Sequence, residues 1–146
     1  MPVPLWENNV LDKYLDQLSS DLELEPFDKK KDNQGFYTVR LADDICLYMK
    51  DLFPGLMMTS QLIECPESKR EVLFIYLMKA NFLGLSTGGS AIGLDKNEKY
   101  LTLSRIITYD INYKSFKEII EDFANYLDLW RQEVKRHQQA AEEGIL

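Results

Sequence analysis

The sequence is poor in the residues that mark disulfide-stapled, collagen-like or metal-binding chains. Its 146 residues include two cysteines, one histidine, seven glycines and five prolines. A small secreted scaffold needs a denser cysteine framework. A zinc site would have to combine Cys46, Cys65 and His137 from scattered elements. We therefore expect reduced, largely buried thiols rather than a disulfide or a redox pair, with no metal and no cofactor.

Long hydrophobic runs are also missing. The longest strictly apolar stretch covers residues 72–78, whereas about 20 apolar residues are needed to cross a bilayer. Residues 1–9 lack the basic region and the continuous apolar stretch of a secretory signal. The sequence predicts a cytoplasmic protein that does not insert into a membrane.

Positive charge is in short supply as well. Seventeen lysines and arginines stand against 24 aspartates and glutamates, which gives a formal net charge of −7. Nucleic acid binding depends on basic side chains that neutralise phosphates, so this acidic balance argues against a nucleic acid partner. The remaining composition, 45% hydrophobic and 28% charged, is typical of a folded protein of this length. It predicts a single domain over residues 1–146.

No catalytic motif stands out. The glycine-rich stretch at residues 84–90 has no lysine and follows a predicted helix, whereas a phosphate-binding P-loop needs a lysine and follows a strand. His137 lies on what the sequence predicts to be a polar helix end, with nothing around it to suggest an oriented base. We expect no catalytic residues and a protein that is not an enzyme.

Periodic apolar patterns are abundant. Helical spacing predicts a first helix from residue 5 to 24 and a third that begins near Asn112, with a frayed polar tail over residues 134–146. Pro66, suited to a first turn, and the acidic Glu67 and Glu71 predict the start of a second helix between them. Strand-like alternation predicts five strands, over residues 36–41, 45–50, 56–63, 91–94 and 100–107. The expected fold class is α+β in the order αβββαββα, with three helices and an antiparallel sheet.

The second predicted helix is apolar almost all round. From residue 72 to 83 only Lys79 and Asn81 are polar. Such a helix does not lie on a monomer surface with one face in water. It is either enclosed within the domain or packed between the sheet and a partner chain, and we favour the second arrangement, which predicts a dimer.

The predicted strands carry large apolar side chains on both faces, as at Phe36 and Tyr37 or Met57 and Met58. If helices cover only one face of the sheet, the other face is available to an extended peptide that adds as a strand. If helices cover both faces, no groove remains. The sequence leaves both arrangements open.

Five segments carry a family resemblance. They read LMKANF at residues 77–82, TGGS at 87–90, IGL at 92–94, YLTLSR at 100–105 and FANYLDLW at 123–130. Together with the small size, the acidic charge and the element order, they resemble the class I type III secretion chaperones, the Tir chaperone or CesT/SycE-like family. The resemblance is good over the last two-thirds of the chain and rests on pattern and size in the first third.

The resemblance implies a dimeric, virulence-associated chaperone of the bacterial cytoplasm that uses no nucleotide. It would bind the N-terminal segment of a secreted effector or a gatekeeper-type regulator and keep that segment secretion-competent. The dimer is implied to be a homodimer or a heterodimer with a second small chaperone. A different class of protein, a small α+β regulator that sequesters a transcription or secretion factor, is the alternative, and a ligand-binding domain with an apolar pocket is a third.

The resemblance also implies two sets of site residues. The substrate-binding set lies on the first helix and the first three strands and comprises Trp6, Leu11, Leu15, Phe36, Val39, Leu47, Met49 and Met58. The dimer-interface set lies on the second helix and the last hairpin and comprises Leu73, Tyr76, Leu77, Ala80, Leu101 and Leu103. Some members of both sets must belong to the core instead, and the sequence does not sort them.

Overall fold

The structure, a computed structural model, describes residues 10–146. In that part of the chain the elements are α1 (Val10–Asp21), β1 (Tyr37–Ala42), β2 (Ile45–Asp51), β3 (Leu56–Glu64), α2 (Arg70–Ala80), β4 (Ala91–Leu94), β5 (Tyr100–Ile107) and α3 (Tyr113–Glu142). A short 3-10 helix, Phe82–Gly84, follows α2. The α+β class and the predicted order αβββαββα are confirmed.

The strands form one five-stranded antiparallel sheet in the order β1-β2-β3-β5-β4. Val39 faces Leu47 across the β1–β2 pair, and Met49 faces Met58 across the β2–β3 pair. The pairing of β1 with β2 shifts register between Arg40 and Ala42, where β1 carries an irregularity of the bulge type. The first three strands therefore form an antiparallel meander, and β1 and β4 form the two edges of the sheet.

The chain contacts divide into two compact units. The first contains Met1–Thr59, described from residue 10 onward, and Ile106–Ile120. Its core brings together one face of α1 with the inward side chains of the meander and of the start of α3: Leu11, Leu15, Leu18, Tyr37, Val39, Leu47, Met49, Leu56, Met58, Phe116 and Ile120. The Tyr14 hydroxyl donates to the backbone oxygen of Ile111 at 2.8 Å, which fixes the outer side of α1.

The second unit contains Ser60–Arg105 and Glu121–Leu146. Its core is formed by α2, the β4–β5 hairpin and the long part of α3: Leu62, Cys65, Leu73, Leu77, Ala80, Ile92, Leu101, Leu103, Phe123, Leu127, Trp130 and Val134. The indole nitrogen of Trp130 donates to the backbone oxygen of Ser86 at 3.0 Å, so the glycine-rich loop is held against α3. Neither cysteine forms a disulfide, and Cys65 is buried.

The last helix starts where the sequence predicts, because the Asn112 side chain accepts a hydrogen bond from the Ser115 backbone nitrogen at 2.9 Å and so caps the helix. The fraying expected over residues 134–146 stays a prediction, while the structure continues α3 to Glu142. The physical reason is that Val134, His137 and Ala141 follow one another at helical spacing and are all buried.

Within residues 10–146, no helix combines the length and the apolar composition that crossing a bilayer requires.

Candidate functional site

The α2 helix has two different apolar faces. One buries Leu73, Leu77 and Ala80 in the second unit. The other exposes Ile75 by 48% and Met78 by 72%, and the exposure continues into the 3-10 helix, where Phe82 is 66% exposed. The outward side chains are here called the α2 apolar face and comprise Val72, Ile75, Met78, Phe82, Leu83 and Leu85. Contiguous apolar surface of this kind marks an interaction site on a protein surface.

The predicted dimer-interface residues lie mostly on the inner side of this arrangement. Leu73, Leu77, Ala80, Leu101 and Leu103 are buried by the chain itself. The reason is helical periodicity, which turns positions 73, 77 and 80 to one side and positions 72, 75 and 78 to the other. The role of α2 in dimerisation stays a prediction, but the side chains available for it are those of the α2 apolar face.

Tyr76, the remaining member of that set, is half-buried and connects α2 to α3. Its hydroxyl donates to Glu133 Oε2 at 2.8 Å, and its ring stacks on the imidazole of His137 with centroids 4.6 Å apart. The hydrogen bonds from Arg136 and from Tyr76 lower the pKa of Glu133, and burial lowers the pKa of His137. Tyr76 thus serves the packing of the second unit.

Asn81 positions the end of α2, and sequence reasoning missed it. Its side-chain nitrogen donates to the backbone oxygen of Ile92 at 2.7 Å, and its side-chain oxygen accepts from the backbone nitrogen of Ile92 at 2.7 Å. The carboxamide therefore pairs with β4 as a neighbouring strand would. The pairing holds the last turn of α2, and with it Phe82, against the hairpin.

Most of the predicted substrate-binding set belongs to the core of the first unit. Six side chains are at most 1% exposed, namely Leu11, Leu15, Val39, Leu47, Met49 and Met58. Phe36 is half-buried, with the Lys50 ammonium 5.6 Å from its ring centroid. Trp6 lies outside the described residues. Six of the eight predicted substrate-binding residues are therefore packed inside this chain, because the inward side chains of the meander contact the apolar stripe of α1.

A cleft of about 500 Å³ opens on the first unit and is here called the α1 cleft. Its walls come from the start of α1, the β2–β3 turn and the segment before α3: Val10, Leu11, Tyr14, Asp51, Phe53, Pro54, Gly55, Leu56, Asp110 and Ile111. Gly55 has a φ of +85°, and a Cβ there would lie 1.8 Å from the backbone oxygen of Ile107. Only glycine allows the turn to approach that backbone so closely.

Two carboxylates lie on this largely apolar cleft, and one of them is incompletely satisfied. Asp51 Oδ2 is buried without a hydrogen-bond partner, as is Oδ1 of the nearby Asp12. Burial raises the pKa of Asp51 to about 6, and the charge of Asp12 adds to that rise, while Lys31 opposes it. Within the described residues no group of three or more histidine, cysteine, aspartate or glutamate side chains is arranged to hold a metal ion.

Sequence reasoning did not identify Asp51. Asp51 is the last residue of β2, follows Lys50, and lies two positions before the Phe53-Pro54-Gly55 turn, so its local sequence is that of an ordinary polar strand end. The other walls of the cleft come from residues far away in the sequence, so the strand alone does not predict the site.

Comparison with known protein families and sequences gives two matches. The family model of the Tir chaperone protein (CesT) family matches residues 13–131. A protein from Chlamydia pneumoniae is 34% identical over 65 residues, which cover 44% of this chain and 49% of that protein. The match therefore spans about half the length of that relative.

Three solved complexes contain chains of similar structure. A chain of the ExsC–ExsE complex aligns with a TM-score of 0.67 and 12% identity, covering 84% of this chain and 91% of its own. The HopA1–SchA chaperone–effector complex gives 0.66 and 19%, with coverage of 90% and 99%. The heterodimeric ExoU–SpcU complex from the type III secretion system of Pseudomonas aeruginosa gives 0.59 and 14%, with coverage of 86% and 94%. At these identities the likeness shows the fold.

Proposed function

Because this chain belongs to the Tir chaperone protein (CesT) family, we propose that it is a type III secretion chaperone. It binds the N-terminal segment of a secreted effector and keeps that segment soluble and competent for export. The family match over residues 13–131 carries the proposal. The shared fold with a chain of a complex described as chaperone and effector supports it.

The finer features of the proposal follow the same family. The chaperone acts in the bacterial cytoplasm as a single functional unit of residues 1–146, without nucleotide, cofactor or catalytic activity. Its cargo is an effector or, as the second class, a gatekeeper-type secretion regulator. Binding orders a disordered cargo segment, so the apolar surface buried must offset the conformational entropy that the segment loses.

The cargo surface that we propose differs from the set implied by the sequence. Six of those side chains are already packed in the core of the first unit. Among the apolar side chains of the first unit that remain exposed, Val10 (45%) and Phe53 (44%) line the α1 cleft. Backbone and apolar side chains of an extended segment can pack against such walls without any rearrangement of the core.

A second chain covers the α2 apolar face in this proposal, either a second copy or another small chaperone. The support is the exposure of side chains that a single chain leaves in water, and the concavity of about 540 Å³ lined by Ile75, Met78, Lys79 and Phe82. An isologous dimer brings the same face of both copies together, so that one Met78 enters the concavity of the other chain.

Copurification tests the chaperone function. The tagged chain is isolated from its native bacterium, and the bound protein is treated with protease before the protected segment is identified. We expect protection of a segment near the N-terminus of a secreted protein. Capture of a folded factor without such a segment would instead favour the sequestering regulator.

Substitution of Met78 by aspartate tests the dimer surface. A carboxylate placed in an apolar interface must be desolvated without a partner, so we expect the dimer dissociation constant to rise by about 100-fold or more. Sedimentation velocity at matched concentrations measures it. Leu22→Asp is the control, because Leu22 is an exposed apolar residue outside α2. A Met78→Asp chain that sediments like the unsubstituted dimer contradicts this interface.

A further inference from the structure

The chemistry of the α1 cleft indicates what it accepts. Eight of its ten wall residues are apolar or aromatic or contribute a backbone turn, and the other two, Asp51 and Asp110, are acidic. Among residues 10–146, no lysine or arginine contributes to the walls. A cleft with apolar walls and two carboxylates fits a side chain that is hydrophobic along its length and positively charged at its end.

Asp51 is the carboxylate to which this fit points. Its Oδ2 is buried and has no hydrogen-bond donor in the described chain. A buried acceptor left unpaired is costly, and the cost is larger when the group is charged. A guanidinium or an ammonium group supplies N–H donors and the opposite charge at the same time.

The neighbouring charged groups do not already satisfy Asp51 Oδ2. Lys31 is close enough to oppose the rise in the pKa of Asp51, but its ammonium lies over the Tyr37 ring, 5.1 Å from the centroid, and does not satisfy Asp51 Oδ2. Asp12, with its own unpaired buried oxygen, adds a second negative charge nearby. The local balance is therefore negative, as is that of the whole chain at −7.

We propose that the α1 cleft binds a basic side chain, arginine or lysine, of the cargo segment, with apolar neighbours of that side chain against Val10, Phe53 and Leu56. This inference rests on the proposed chaperone function and adds the chemistry of one anchor residue in the cargo. The methylene stem of the basic side chain packs along the apolar walls, and its charged end meets Asp51. A cleft of about 500 Å³ is large enough for one such side chain and part of its neighbours.

Capped pentapeptides provide the test. The probes are acetyl-Leu-Ser-Xaa-Ser-Leu-amide with arginine, lysine, glutamine or glutamate at the central position, titrated into the ¹⁵N-labelled full chain. We expect the arginine and lysine peptides to shift the backbone amides of Asp51, Gly55 and Ile111. We expect them to bind about tenfold more tightly than the glutamine peptide, with the glutamate peptide weakest.

Two variants make the result specific. Asp51→Asn keeps the shape of the side chain and removes its charge, so the preference for arginine over glutamine should disappear. Asp43→Asn, an exposed aspartate in the β1–β2 turn, should retain the preference. Equal binding of all four peptides, or shifts confined to amides away from the cleft, would overturn the inference.

Two further outcomes are decisive. If peptides bind only after residues 1–9 are deleted, the chain's own N-terminal segment is the occupant and the inference is wrong. If cargo copurifies but the peptides show no charge preference, the chaperone function stands and the basic anchor fails. If peptides prefer arginine but no secreted protein copurifies, the chaperone function fails while the basic site remains.

Discussion

Replacement of Asp51 by asparagine should raise the free energy of unfolding at neutral pH, although Asp51 lies in a proposed binding cleft. Burial and the neighbouring Asp12 raise the pKa of Asp51 from 3.8 to about 6 in the folded chain. A shift of that size corresponds to at most about 3 kcal/mol. Since the side chain is partly open to solvent, screening reduces the effect, and we expect Asp51→Asn to stabilise the chain by about 1–1.5 kcal/mol at pH 7.5.

The pH dependence follows from the sign of the shift. Below about pH 3.8 the Asp51 carboxyl is protonated in both the folded and the unfolded chain. As the pH rises toward 6, the unfolded chain releases the proton first, so the folded chain binds more protons and loses stability. The contribution of Asp51 to stability is therefore present at low pH and lost as the pH passes through about 6.

Urea denaturation at pH 4 and pH 7.5, at one protein concentration, measures this effect. The difference in unfolding free energy between Asp51→Asn and the unsubstituted chain should be small at pH 4 and reach its full value at pH 7.5. Asp43→Asn, at an exposed turn position, controls for the loss of one negative charge. A variant that is less stable than the unsubstituted chain at pH 7.5 would refute the reasoning, because it would mean that the ionised carboxylate is well solvated or paired.

Two further predictions concern positions where the structure goes beyond the sequence. Asn81→Ala should lower the unfolding free energy by about 2 kcal/mol, because it removes two hydrogen bonds to Ile92 and leaves that backbone unpaired. Urea denaturation measures this change, and an unchanged midpoint would contradict the contact. Leu47→Ala should lower the unfolding free energy by about 2–5 kcal/mol in the absence of any cargo, since Leu47 is fully buried. A variant of unchanged stability that binds cargo poorly would instead assign Leu47 to the binding surface.

The sequence predicted the element order because each element carries its own period. Val39 and Leu47 recur on the inward face of their strands at period two, and the apolar residues of α1 and α3 recur at helical spacing. Asn112 was identifiable as a helix cap because its capping bond is local, to Ser115. Features that depend on residues close together in the sequence can therefore be predicted from it.

The functional surface was less accessible to such reasoning. Period two shows that Met57 and Met58 lie on opposite faces of β3 but not which face is covered, and the structure buries Met58 completely. The burial of His137 could not be read from the sequence, because its partner Tyr76, on which it stacks, lies 61 positions earlier. Asp51 acquires its properties from Asp12 and Lys31, which lie on other parts of the chain.

The two edges of the sheet bear on how the protein avoids edge-to-edge aggregation. β4 has only four residues, and β1 is interrupted between Arg40 and Ala42. Short or bulged edges do not offer the long, flat row of backbone donors and acceptors on which further strands stack into fibrils. A polypeptide that pairs with either edge therefore meets a short or interrupted template, which disfavours continued stacking of strands.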